Sequence, residues 1–96
     1  MLWGLPLVRL NGYIIVPADD LDAVLAELPN HISLTRQEPG CISFQVVQST
    51  ENPHRFDVAE EFVDRLSFEQ HQARVGQSYW GEVTQRVERH YQIDED

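Results

Sequence analysis

The chain has no lysine, a single cysteine, and no apolar run near the roughly 20 residues that a membrane-spanning helix needs. One cysteine, Cys41, excludes an internal disulfide and any multi-cysteine zinc or iron–sulfur centre, and its simplest role is a small buried residue at a strand start. The histidines His31, His54, His71 and His90 fall in separate elements without HxH or HExxH spacing, so no metal motif is present. Glycine-rich phosphate loops, dinucleotide and flavin fingerprints, and nucleophile motifs around Ser or Cys are likewise missing. The expectation is a protein with no cofactor and no metal. Met1-Leu2-Trp3-Gly4-Leu5-Pro6-Leu7 lacks the basic start and apolar length of a signal peptide, which points to a cytoplasmic protein with no membrane partner.

Positive charge is scarce as well. Seven arginines stand against 16 acidic residues, and the formal charge of −9 would repel a phosphate backbone, so nucleic acid is not an expected partner. With 42% hydrophobic and 24% charged residues, the composition is that of an ordinary globular domain. A chain of this size buries only about two-thirds of the surface its unfolded form exposes, so a partner subunit would help it. One domain over residues 7–93 is expected, with Asp94-Glu95-Asp96 as a solvated acidic tail.

What is present is a clear succession of periodicities. Val8, Leu10, Gly12, Ile14 and Val16 alternate with Leu7, Arg9, Asn11, Tyr13 and Ile15, the period of a strand whose first set faces the core. Pro17 stops that strand, and Asp19 or Asp20 can cap a helix on which Leu21, Val24, Leu25, Leu28 and Ile32 form one arc. Pro29 removes a helical hydrogen bond, so a kink or break is expected there, with helix resuming to about Arg36. Glu38-Pro39-Gly40-Cys41 is a reversal. Ile42, Phe44 and Val46 then alternate, Ser49-Thr50-Glu51-Asn52-Pro53 is turn chemistry, and Phe56, Val58, Glu60 and Phe62 alternate again, so the segment reads as a β-hairpin. A second helix from about Arg65 puts Phe68, His71 and Val75 on one face, Gly76 interrupts it, and a short third helix carries Trp80 and Val83. Val87, Arg89, Tyr91 and Ile93 alternate as a last strand. The order β-α-β-β-α-β implies an α+β, ferredoxin-like fold, with helices on one side of a four-stranded antiparallel sheet. Its other side, with Leu7, Tyr13, Ile15, Cys41, Val47 and Ala59, would expose a semi-apolar face of about 400 Å², large enough to call for a second chain.

The reversal Glu38-Pro39-Gly40-Cys41, the strand after it, the Pro-containing loop, the run Arg55-Phe56…Glu60-Glu61-Phe62, and a helix with a His near its middle, Asp64–His71, together resemble the antibiotic biosynthesis monooxygenase family. The resemblance spans roughly residues 7 to 93. It implies a homodimeric α+β barrel and oxygenation without a cofactor, in which an electron-rich substrate anion itself reacts with O₂. Some relatives bind haem on a helix histidine, and His71 is the residue here placed to imitate that. Quinone-forming members use an Asn, a Trp and a Tyr at positions that hold Val58, Phe62 and Phe68 in this chain.

Strand and helix parity direct three polar residues inward: Glu60, His71 and Arg89. Gly12 shares their face and lacks a side chain, so a void over it, ringed by Phe44, Val58, Phe62, Phe68 and Trp80, would form an apolar small-molecule pocket. Glu60 in such a place should have a raised pKa and suits a general base; His71 could do the same work or stabilise an oxyanion. The alternatives are a structural ion pair for Glu60, a satisfied core histidine for His71, and an arginine whose stem covers apolar surface for Arg89. The expected function is cofactor-independent oxygenation of a small aromatic, quinol-like or enolisable carbonyl compound by a homodimer. A non-catalytic binding or protective protein, or an accessory subunit of a larger enzyme, are the alternatives.

Overall fold

A computed structural model describes residues 7–96, so the opening stretch Met1–Leu7, except Leu7 itself, lies outside the described residues. Strand β1 (Val8–Ile15) leads through a 3₁₀ turn at Ala18–Asp20 into helix α1 (Leu21–Arg36). The hairpin β2 (Cys41–Gln48) and β3 (Arg55–Phe62) follows, then α2 (Arg65–Gly76), the short α3 (Tyr79–Val83) and β4 (Glu88–Glu95). All pairings are antiparallel, in the order β2-β3-β1-β4, with Leu10 opposite both Glu60 and Ile93 and Gly12 opposite both Val58 and Tyr91. This is the ferredoxin-like arrangement that the periodicities imply.

One face of the sheet and the inner stripes of the helices make the core. Val8, Leu10 and Ile14 from β1, Val16 just after it, Phe44 and Val46 from β2, and Phe56, Val58 and Phe62 from β3 are buried against Val24, Phe68 and Trp80. Alternation puts every second strand residue on this face, and burial of such side chains is the main stabilising term, at about 25 cal/mol per Å² of apolar surface. Helix α2 begins where Asp64 accepts a hydrogen bond from the Ser67 amide at 2.8 Å, and α3 where Ser78 accepts one from Gly81 at 3.1 Å.

Several local expectations need correction. Helix α1 runs through Pro29 without a break, with Val24 before the proline and His31 and Thr35 after it buried against the sheet. Asp20 occupies the cap position but makes no capping bond; its carboxylate accepts from Arg86 instead. Ile42 is 49% exposed rather than core-facing, since the register shifts between Cys41 and Ser43. Leu25 is exposed too, and His31 and Thr35 fill the inner face of α1 in its place. The C-terminus is not a free acidic tail: β4 continues through Glu95, Arg65 pairs with Glu95, Arg9 pairs with Asp96 at 2.6 Å, and the Asp96 amide donates to the Leu7 carbonyl at 3.0 Å. All of β4 is exposed, because the helices cover β1, β2 and β3 but stop short of this edge.

Candidate active site

Glu60 reaches the core face because β3 alternates without a bulge, and it lies in line with Val58 and Phe62. The residue is 7% exposed, and its Oε1 has no hydrogen-bond partner in the protein. Burial, reinforced by the nearby Glu38 carboxylate, pushes its pKa up to about 7. It lines a small, partly open cavity of about 30 Å³ between the sheet, α1 and α3. Phe44, Val58 and Trp80 form apolar walls, while His31, Thr84, Arg89 and Tyr91 supply polar groups. A larger hollow of about 360 Å³ lies between the start of α1 and α3, but it is an open groove whose Arg86 is already paired with Asp20. The small cavity is the better candidate because unpartnered polar atoms converge there.

His71 stands behind Glu60. Its ring is 2% exposed and packs against Phe62 with centroids 4.9 Å apart and against Phe44 at 5.6 Å. Nε2 lies 3.8 Å from Glu60 Oε1, just beyond hydrogen-bond reach. Nδ1 lies 3.1 Å from both carboxylate oxygens of Glu38. Burial lowers the His71 pKa although Glu38 opposes the shift, so the ring is neutral at pH 7, with its proton on the nitrogen that faces Glu38. Glu38 is fixed by Arg74 at 2.5 Å, and Arg74 also donates to Thr35 Oγ1 at 2.9 Å. The Glu38-Pro39-Gly40-Cys41 reversal thus places an acid against the middle of α2.

On the opposite wall, His31 stacks on Trp80 with centroids 4.4 Å apart and planes 3° from parallel. Its Nδ1 is buried without a partner, and burial drives its pKa down to about 3. Arg89 is exposed and donates to the carbonyl and hydroxyl of Thr84 at 3.1 and 3.2 Å. Partial burial raises the pKa of the Tyr91 hydroxyl.

The structure therefore brings Glu60, Phe44, Val58, Trp80 and Arg89 to one cavity and sets His71 in the layer behind it. Phe62 and Phe68 pack edge to face at 5.8 Å below His71, in the core rather than on the cavity wall. Gly12 is not among the residues that line this cavity. A Cβ there would meet the His90 carbonyl oxygen at 1.9 Å with φ at +157°, so glycine is required by the close approach of β4. His31, Glu38, Thr84 and Tyr91 were not among the expected site residues. His31 sits seven residues after Val24 and Tyr91 two after Arg89, spacings that put both inward, but neither residue type stands out against an apolar pattern. Among the described residues, no group of three or more His, Cys, Asp or Glu side chains could hold a metal ion. The Glu38 contact at Nδ1 would suit a ligating histidine, but the His71 ring is 2% exposed and its Nε2 faces Glu60 at 3.8 Å, so haem iron has no access to that nitrogen in this arrangement. No helix among the described residues is long and apolar enough to cross a membrane.

The described residues thus form a ferredoxin-like domain with a buried acid–imidazole pair beside an aromatic wall. The family model of antibiotic biosynthesis monooxygenases matches residues 7–80, and the chain belongs to that family. No curated protein matches it. Among solved structures, a Bacteroides thetaiotaomicron protein of unknown function, described as a possible oxidoreductase, is similar at 19% identity and a TM-score of 0.79 over 97% of this chain and 100% of the other. A Shewanella oneidensis protein aligns at 26% identity and 0.76 over 96% and 91%. A Nitrosomonas europaea protein provisionally assigned as an antibiotic biosynthesis monooxygenase aligns at 20% identity and 0.75 over 100% and 92%.

Proposed function

We propose that this protein is a monooxygenase that works without a resident cofactor on a small aromatic, quinol-like or enolisable carbonyl compound. The observation that carries the reading is Glu60: a buried carboxyl with an unpartnered oxygen, a pKa of about 7, and a cavity of aromatic and aliphatic walls in front of it. A base of that strength is matched to neutral pH. As a carboxylate, Glu60 accepts the proton of a phenolic or enolic hydroxyl. The resulting anion spreads its charge onto a ring or α carbon, which transfers electrons to O₂, forms a C–O bond and takes up a proton as a hydroperoxide. Loss of water across the C–H and O–O bonds leaves a carbonyl, so one oxygen atom stays in the product and one leaves as water. The substrate carbon supplies all four electrons, and no external reductant is required.

A ring needs more room than about 30 Å³, so binding has to displace the exposed side chains at the cavity's edge, Arg89 and Tyr91. Arg89 then supplies positive charge toward the substrate anion. The reading includes a homodimer closed through the sheet's outer face, where Val47 is 58% exposed and Tyr13 and Ile15 are half-buried, in a cytoplasmic setting with no nucleic-acid partner.

A second reading, a non-catalytic binding or protective protein, is favoured by one fact: Val58, Phe62 and Phe68 stand where quinone-forming members carry hydrogen-bonding side chains, and all three are buried and apolar. Oxygen consumption with a panel of quinols and enolisable carbonyls separates the two. Glu60→Gln should lower turnover about 10²–10⁴-fold while ligand affinity changes far less. Tight binding of the panel without oxygen uptake by the unaltered protein would establish the second reading.

A further inference from the structure

We propose that Glu38 is a positioning residue: it holds His71 as the Nδ1–H tautomer, turns the Nε2 lone pair toward Glu60, and so makes His71 a temporary store for the proton that Glu60 takes from substrate. The geometry carries this. Nδ1 meets both Glu38 oxygens at 3.1 Å, and a carboxylate can only accept there, so the ring proton must sit on Nδ1. The acceptor nitrogen Nε2 is then left facing Glu60 Oε1 at 3.8 Å, the same oxygen that has no other partner. A shift of less than 1 Å closes this gap to a hydrogen bond.

Glu38 is itself immobilised. Arg74 binds it at 2.5 Å and is tied in turn to Thr35 on α1, so the acid bridges both long helices and the turn before β2. Its side chain is 16% exposed and borders an outer hollow of about 180 Å³ lined by Pro39, Gly40, Ser67, Gln70 and Arg74, whereas Glu60 borders the inner cavity. The charged and titratable groups around the pair are Glu38 and Arg74 on the solvent side, Cys41 on β2, His31 on α1, and Arg89 and Tyr91 on β4.

The transfer balances. The Glu60 O–H bond breaks as an N–H bond forms at Nε2; Glu60 returns to carboxylate, and the imidazolium charge is held by Glu38. Reversal of the same step returns the proton through Glu60 to the oxygen that leaves as water. Glu38 touches neither substrate nor reacting atoms, and its effect passes entirely through His71.

The role of Glu38 in setting the tautomer is independent of the proposed oxygenation; the proton-storage step rests on it, and the test separates them. ¹⁵N NMR of histidine-labelled protein should show His71 protonated at Nδ1 and bare at Nε2 between pH 7 and 8. Glu38→Gln should keep that tautomer, because the amide oxygen still accepts from Nδ1–H, yet move the Glu60 carboxyl titration, read by ¹³C, below its value of about 7 by removing a like charge. Glu38→Ala should shift His71 toward the Nε2–H form. With an active substrate, both variants should lose at least about tenfold in kcat, within the range that a positioned proton-transfer group supplies, with KM little changed. An Nε2–H tautomer in the unaltered protein, or an unchanged tautomer in Glu38→Ala, overturns the positioning role. Should Glu38→Ala not fold, the unaltered protein and Glu38→Gln decide the matter alone. The Nδ1–H tautomer in a protein that oxidises nothing supports the positioning role and refutes the oxygenase reading instead.

Discussion

Replacing Glu60 with glutamine should stabilise the protein above neutral pH while removing its base, and the size of the gain follows from burial. A carboxyl whose pKa rises from the ordinary 4.5 to about 7 on folding is harder to ionise in the folded state than in the unfolded one. Between those two values the folded protein binds more protons, so stability falls as pH rises through the window and is lowest above the folded value. At 1.36 kcal/mol for each pH unit, the full cost is about 3 kcal/mol at pH 8 and vanishes near pH 4. Glutamine keeps the shape and has no ionisation to oppose. Urea unfolding of both proteins at fixed concentration and at pH 5, 6, 7 and 8 should therefore show a stability difference that grows in favour of Glu60→Gln with pH. The difference is the right quantity, because His31 and His71 act in the opposite sense: both are held neutral by burial, and both withdraw stability as pH falls below 6.5. The His31 contribution is common to the two proteins and cancels, and at pH 7 and above His71 is neutral in both, so the comparison from pH 7 to 8 isolates Glu60 from His71, its neighbour at 3.8 Å. A difference that stays constant over this range would refute the account of Glu60 as a carboxyl forced toward neutrality by its cavity.

Three other outcomes test separate parts of the structure. Gly12→Ala should destabilise the fold by roughly 2 kcal/mol or more, since the new methyl meets the His90 carbonyl at 1.9 Å, and hydrogen exchange should show β4 loosening first. With Trp3→Phe leaving Trp80 as the reporter, indole emission should show no histidine step between pH 5 and 8, because the ring stacked on it, His31, charges only near pH 3. Val47→Glu should give a monomer by light scattering at micromolar concentration, with a lower unfolding midpoint, if the exposed outer face of the sheet is the dimer surface.

The fold was legible because it rests on long-range burial that leaves a short-range trace. Alternation in β1 and β3 located both central strands, and the Glu38–Cys41 reversal and the Asn52-Pro53 turn bounded the hairpin. What went unread lay where two rules competed. Ile42 has the parity of Phe44 and Val46, but a register shift beside Cys41 turns it outward, and no local signal in Cys41-Ile42-Ser43 marks the irregularity. Pro29 looks like a breaker in isolation, yet packing through Val24, His31 and Thr35 outweighs one missing hydrogen bond. The terminal acids look like a solvated run until their partners Arg9 and Arg65, far away in sequence, come into view.

The site divides in the same way. Glu60 declared itself because a charged residue in an apolar alternation is costly unless something requires it. Glu38 did not, because in sequence it is only an acid before a Pro-Gly turn, 33 residues from the histidine it orients. Gly12 was assigned to a void on the ground that it lacks a side chain, whereas the missing side chain makes room for the neighbouring strand's backbone. A glycine in a strand has two physical explanations with opposite consequences for a cavity, and only the distance to the next strand chooses between them. The unpartnered atoms on either wall, Glu60 Oε1 and His31 Nδ1, are a property of three dimensions alone. An unpartnered buried polar atom costs on the order of 1–3 kcal/mol, and a domain of this size has little stability to spare. Both atoms border the same cavity, so a single bound polar group, a water or a ligand, can satisfy the two together.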